Sequence, residues 1–212
     1  MSYGRYDFFD LDKLENVLLV QLTRPKVNGF SEEVFEELQS IINAANADSD
    51  VISVIIASGF PDLFTVEADN KELASKDSFL PKNGQSTFEL VESSPKPFII
   101  AMKGTSHGSG IELACACEIR IATEDAKFAM PGKRMGISPS LGATQRLSRL
   151  IGHEATKKLV MTGEPMDARE ALQIGLIDEI TPTGGEIKRA IEIAESIADY
   201  SKWSPQPSRL GI

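Results

Sequence analysis

Hydrophobic residues form two kinds of pattern along the chain, continuous apolar runs and a repeat at helical spacing. Almost wholly apolar runs at residues 51–57 and Phe98–Met102 predict buried β-strands, because an exposed strand would alternate with polar residues. A shorter run at Val17–Leu22 predicts a further strand. After Ser31, whose hydroxyl suits the start of a helix, apolar residues recur at the helical spacing up to Ala45. Strands that alternate with helices, without a clear linker, predict a single α/β domain.

Other segments carry weaker patterns. We expect a first strand over residues 6–9 with a polar hairpin connection over 10–16, a mobile surface excursion over 75–97, and a glycine-rich turn over 104–110. A further strand is expected over 119–122, and helices are expected over 111–116, 141–151, 154–161 and 167–173. A last helix has an apolar stripe at Ile187, Ile191, Ala194 and Ile197. The predicted division is a core domain over 1–182 and a short helix with an irregular tail over 183–212.

Composition narrows the class of protein. Lys and Arg total 22 against 31 for Asp and Glu, a net charge of −9, which disfavours binding of nucleic acid or an anionic membrane through a basic surface. No apolar run approaches the ~20 residues of a membrane-spanning helix. The only cysteines, Cys115 and Cys117, lie too close in sequence to cross-link a fold. We therefore expect a cytoplasmic protein with no nucleic-acid or membrane partner.

The stretch GTSHGSGIELACACE, residues 104–118, is the most informative chemically. A predicted buried strand leads into glycines and then into a helix, whose first N–H groups have no partner inside the helix. Ser109 and Glu112 are three residues apart and share a face of the first turn. A carboxylate beside a backbone anion site suits a reaction that forms an enolate oxyanion and moves a proton. The other interpretation of this segment alone is a tight turn whose Glu interacts with the helix dipole.

Five segments carry motifs in an order that spans about residues 5–182. They are RPKVN at 24–28, FTVEADNKE at 64–72, GTSHGSGIE at 104–112, the stretch 130–147 with TQRL at its end, and TGEPMDAREALQIGL at 162–176. Together they resemble the crotonase superfamily, the enoyl-CoA hydratase/isomerase family. The resemblance implies an α/β crotonase-like spiral of ββα units, here with a shortened C-terminal helical region. It also implies a CoA thioester substrate.

The same resemblance implies roles for individual residues. The backbone N–H groups of Ala68 and Ser109 would hold the thioester oxygen, and Glu112 would transfer the proton. The second catalytic carboxylate of the hydratases corresponds to Gly132, so isomerase or decarboxylase chemistry is favoured over simple hydration. The implied substrate-binding residues are Arg24, Lys26, Asp69, His107, Gly108, Gly132 and Pro139, with Lys26 near a CoA phosphate.

No metal or redox cofactor is implied, and coenzyme A is part of the substrate. The family resemblance implies a homotrimer or hexamer active in fatty acid metabolism. Two other functions stay open. A catalytically weakened acyl-CoA-binding homologue would explain the missing carboxylate. A Clp-type serine peptidase with Ser109 as nucleophile would need a nearby base, and the chain has only His107 and His153.

Overall fold

The computed structural model describes residues 3–25, 28–66, 83–132 and 141–201. These residues form ten strands and six helices. In chain order they are β1 (Phe9–Leu14), β2 (Val17–Leu22), α1 (Glu32–Ala47), β3 (Ser53–Ser58), β4 (Leu63–Thr65), α2 (Gly84–Ser93), β5 (Phe98–Met102), β6 (Thr105–His107), α3 (Ser109–Ala114), β7 (Ile119–Thr123), β8 (Lys127–Ala129), α4 (Ala143–Thr162), β9 (Met166–Asp167), α5 (Ala168–Gln173), β10 (Glu179–Thr181) and α6 (Glu186–Ser201).

The strands form two sheets. The larger sheet has the order β1-β2-β3-β5-β7-β10, with β1 antiparallel to β2 and all other neighbours parallel. The smaller sheet has the order β4-β6-β8-β9, in which β4, β6 and β8 are parallel and β9 is antiparallel. A strand of the larger sheet is followed by a strand of the smaller one and then by a helix, as in β5-β6-α3 and β7-β8-α4. This succession of ββα units confirms the expected fold class.

Both faces of the larger sheet are covered, which explains its apolar strands. Along β2, Leu18 and Val20 pack into a core with α1 and α2, whereas Val17 and Leu19 pack into a second core beneath α6. The second core receives the stripe of α6 predicted from the sequence. The residues of that helix that pack in this core are Ile187, Ala190, Ile191, Ile193, Ala194 and Ile197. None of the helices in the described ranges is long and apolar enough to cross a membrane.

The N-terminal hairpin differs from the sequence expectation. Residues 10–14, expected to form a connection, are strand, and β1 pairs with β2 residue for residue. The hairpin turn is only Glu15 and Asn16, with Glu15 at a φ of +50°. The expectation was wrong because β1 lies at the edge of the sheet, where exposed residues alternate with buried or partly buried ones and no continuous apolar run marks the strand.

The expected surface excursion over 75–97 is also wrong in its second half. Residues 84–93 form α2, which packs on α1 through Phe88 and Val91, both fully buried. The Phe88 ring contacts the rings of Phe35, 5.5 Å away between centroids, and Phe30, 5.8 Å away. Three apolar side chains among ten residues, Phe88, Leu90 and Val91, are a weak periodic signal, but they suffice to bury one face of a helix. Residues 75–82 lie outside the described residues.

Short elements account for the remaining differences. The expected turn over 104–110 contains β6, a strand of three residues. The helices expected over 141–151 and 154–161 are continuous as α4, apart from a break at Gly152, where φ is +78°. The helix over 167–173 is confirmed as α5. Strands of two or three residues leave no period that a sequence pattern could reveal.

Candidate active site

The smaller sheet leads three chain segments to one edge. Because β4, β6 and β8 are parallel neighbours, their carboxyl ends lie at the same edge. β4 ends three residues before Ala68, β6 two residues before Ser109, and β8 three residues before Gly132. These are the segments in which the family resemblance implies the two oxyanion donors and the missing carboxylate.

Gly108 turns the chain from β6 into α3. Its φ of +47° and ψ of −110° suit a residue without a side chain. Its N–H donates to the Ala129 carbonyl at 3.1 Å, and its carbonyl accepts from the N–H groups of Ile111 and Glu112. Both polar groups of Gly108 are thus used within the fold. Ser109 then begins α3, and its N–H has no acceptor inside that helix.

The start of α3 lies directly against the end of β4. A Cβ atom added to Gly110 would lie 2.1 Å from Thr65 Cγ2 and 3.3 Å from the Phe64 ring. No side chain larger than hydrogen fits there without movement. This contact fixes the start of α3, and with it the Ser109 N–H, against the end of β4.

Asn28 holds the loop after β2 against the same strand. It is fully buried at a φ of +51°. Its Nδ2 donates to the Phe64 carbonyl at 2.6 Å and to Ser58 Oγ at 3.0 Å, and its own carbonyl accepts from Thr65 Oγ1 at 2.7 Å. The backbone N–H of Arg24 donates to Asn28 Oδ1 at 3.1 Å. The family resemblance implies substrate binding for this loop, but it does not indicate that Asn28 ties the loop to β4.

Glu112 is buried, with 4% of its surface exposed, on the first turn of α3. Its Oε1 accepts a hydrogen bond from the backbone N–H of Leu141 at 3.1 Å. Leu141 directly precedes Gly142, which caps the start of α4. A carboxylate held by a backbone donor has a defined orientation, and such a group can take a proton from a ligand and return it.

The two histidines occupy different environments. His107 ends β6 and is half-buried, and burial lowers the pKa of its imidazole below the ordinary value. Burial therefore favours the neutral form of the imidazole. His153 is exposed on α4. Among the described residues no hydrogen bond joins Ser109 to a histidine, as a serine nucleophile would need, so the structure gives no support to the peptidase interpretation.

Of the remaining predicted site residues, Arg24 and Gly132 lie within the described part of the chain. Arg24 lies in the loop after β2, and its Nη1 donates to the Gly29 carbonyl at 3.0 Å. Gly132 is buried just after β8. Within residues 3–25, 28–66, 83–132 and 141–201, no three His, Cys, Asp or Glu side chains are grouped as a metal site would require. Lys26, Ala68, Asp69 and Pro139 lie outside the described residues.

Comparisons with known proteins agree with this architecture. The family model for enoyl-CoA hydratase/isomerase matches residues 12–206. A short-chain-enoyl-CoA hydratase from Clostridium acetobutylicum is 34% identical over 207 residues, which cover 95% of this chain and 79% of that protein. A 2,3-dehydroadipyl-CoA hydratase from Escherichia coli is 32% identical over 205 residues, which cover 95% of this chain and 80% of that protein.

A solved structure extends the likeness to three dimensions. The crystal structure of an enoyl-CoA hydratase from Bacillus anthracis matches with a TM-score of 0.86 at 35% identity, over 91% of this chain and 77% of that one. The order of the motifs, the ββα units and these relatives agree. The chain therefore belongs to the enoyl-CoA hydratase/isomerase family of the crotonase superfamily.

Proposed function

We propose that this chain transfers a proton on the acyl group of a CoA thioester by way of a stabilised enolate. The observation that carries this proposal is the buried Glu112 carboxylate, which the Leu141 N–H orients one helical turn after the Ser109 N–H. Both groups follow the carboxyl end of β6, beside the end of β4. Family membership supports a thioester as the substrate.

The chemistry follows from what an enolate needs. As Glu112 removes a proton from the carbon beside the thioester carbonyl, the C–H electron pair moves into the new C=C bond and the carbonyl pair moves onto oxygen. The N–H groups of Ser109 and Ala68 would stabilise that oxyanion, and a single donor of this kind contributes about 10²–10³-fold in kcat. The proton transfer itself contributes about 10²–10⁴-fold.

Gly132 favours some reactions of this type over others. Hydration of a 2-enoyl thioester requires a group that deprotonates water and a group that protonates the α-carbon, and Gly132 has no side chain for either task. Isomerisation moves one proton between the α- and γ-carbons, which a single carboxylate can do. Decarboxylation depends chiefly on the oxyanion site. We therefore favour isomerase or decarboxylase chemistry here, although the relatives described above are named as hydratases.

A panel of thioesters tests the proposal. The ultraviolet absorbance of a conjugated enoyl thioester falls on hydration of crotonyl-CoA and rises on isomerisation of a 3-enoyl-CoA, and release of CO₂ reports decarboxylation of a malonyl-type thioester. We expect turnover of one of the last two and weak hydration. A kcat on crotonyl-CoA at or above the ~10 s⁻¹ typical of enzymes would contradict the argument from Gly132. Binding of CoA esters without turnover would instead support the non-catalytic homologue.

A further inference from the structure

We propose that Arg146 and Glu92 are positioning residues that act on Glu112 through Leu141. This inference rests on the proposed proton transfer by Glu112. Three contacts connect these groups. The Leu141 N–H donates to Glu112 Oε1 at 3.1 Å, Arg146 Nη1 donates to the Leu141 carbonyl at 2.7 Å, and Arg146 Nε donates to Glu92 Oε2 at 2.9 Å.

Leu141 is held on three sides. Its N–H and its carbonyl are both bonded to charged side chains, from α3 and α4 respectively. Its side chain is buried and packs on the first residue of α2, because a Cβ atom on Gly84 would lie 2.6 Å from Leu141 Cδ2. Glu92 lies near the other end of α2. The donor that orients the Glu112 carboxylate is thus fixed by α2 and α4 together.

The Arg146 side chain is buried against Leu141 and Glu92 and is almost fully shielded from solvent. Only 5% of its side chain is exposed, and it folds back over the beginning of its own helix. A Cβ atom on Gly142 would lie 2.2 Å from Arg146 Nη1, and Gly142 has a φ of +89°, so the guanidinium occupies space that another residue at 142 would fill. The planar guanidinium bonds Leu141 and Glu92 at once, which a lysine ammonium at the end of a flexible chain does not reproduce.

Glu92 in turn keeps the guanidinium in place. It accepts from Arg146 Nε at 2.9 Å and from Arg149 Nη2 at 2.8 Å, and 45% of its side chain is exposed. Without Glu92, Arg146 loses its anionic partner and the Leu141 N–H loses its support. Because a displacement of about 1 Å in a reacting group costs about 10²-fold in rate, even a partial loss of this support lowers kcat.

Glu92→Ala tests the linkage without emptying the core. We expect its kcat to fall by about 10-fold to 10²-fold, where the upper figure corresponds to a displacement of about 1 Å, while KM for the thioester changes less than threefold. The kcat of Arg146→Lys should fall by a similar factor. The matched control is Glu154→Ala, which removes another exposed, ion-paired carboxylate, bonded to Lys157 on the surface of α4, and should leave kcat unchanged.

A double-mutant cycle separates positioning from a general structural role. If Glu92 acts through Glu112, adding Glu92→Ala to Glu112→Gln lowers the residual kcat by less than twofold. An equal loss in both backgrounds, or an unchanged kcat in Glu92→Ala alone, would overturn the inference. A wild-type protein that turns over no thioester refutes the proposed function instead. In that case, amide hydrogen exchange at Leu141 tests the linkage. Glu92→Ala should lower the protection of the Leu141 amide at least tenfold, and unchanged protection would contradict the linkage.

Discussion

Replacing Gly110 with alanine perturbs the close contact between the end of β4 and the start of α3, where Ser109 is proposed to donate its N–H to the thioester oxygen. The new Cβ atom would lie 2.1 Å from Thr65 Cγ2, whereas carbon atoms in contact need about 3.5–4.0 Å. The two elements must therefore move apart by about 1.5 Å. Thr65 cannot rotate away at no cost, because its Oγ1 donates to the Asn28 carbonyl at 2.7 Å.

Gly110→Ala should lower both the stability of the protein and its kcat. Overpacking of a buried contact costs about 1–3 kcal/mol of unfolding free energy. For a domain of this size each kcal/mol lowers the Tm by about 2–4 °C. A shift of that size at the Ser109 N–H exceeds the range of hydrogen-bond distances, so kcat should fall by about 10²–10³-fold, the contribution of one oxyanion donor.

The assay is thermal unfolding together with thioester turnover, and the sequence offers both a rescue and a control. Thr65→Ser removes only Cγ2 and keeps the hydroxyl, so Thr65→Ser combined with Gly110→Ala should recover most of the Tm and of the kcat. Gly4→Ala, where nothing lies within 4 Å, should change neither. A Gly110→Ala protein with wild-type Tm and kcat would refute the close-packing argument. Failure of Thr65→Ser to rescue would show that another contact is responsible.

Three further predictions concern stability, chemistry and assembly. The Lys13 ammonium, 3.0 Å from Asp48, lowers the pKa of Asp48 from 3.8 to about 2. Because the pKa is depressed in the folded state, this stabilisation is complete above about pH 4 and is lost as the pH falls towards 2. An acid titration of the unfolding free energy should show that loss in the wild type but not in Asp48→Asn. Gly132→Glu should raise hydration of crotonyl-CoA if the missing carboxylate is what limits it, and an unchanged hydration rate in a folded variant would count against that reason. Light scattering should give the mass of a trimer or hexamer, and a monomer at micromolar concentration would contradict the assembly expected from the family.

The sequence predicts those parts of the fold that bury a long apolar face. The strand over Phe98–Met102 is confirmed residue for residue, because the larger sheet is covered on both sides and its residues are all apolar. The edge strand β1 and the helix α2 escape prediction because only part of each is buried. Their positions depend on tertiary partners, such as Phe35 beneath Phe88, which no local pattern contains.

The candidate site divides in the same way. Glu112, Ser109 and the turn at Gly108 follow from local spacing, since all lie within one strand–helix connection. The residues that hold the site in place come from elsewhere in the chain. Asn28 acts on β4 across 36 residues, and Arg146 reaches Glu92 across 54 residues. Motif resemblance marks both positions, but only the folded structure shows what they contact.

Solvent exchange at the α-carbon tests the central claim most directly, because it reports proton removal by Glu112 whatever the overall reaction. Saturated butyryl-CoA incubated with the enzyme in D₂O should take up deuterium at the α-carbon. The Glu112→Gln variant should exchange about 10²–10⁴-fold more slowly while it binds butyryl-CoA with the same affinity. Exchange by Glu112→Gln within threefold of the wild-type rate would show that another group removes the proton, and it would contradict the account.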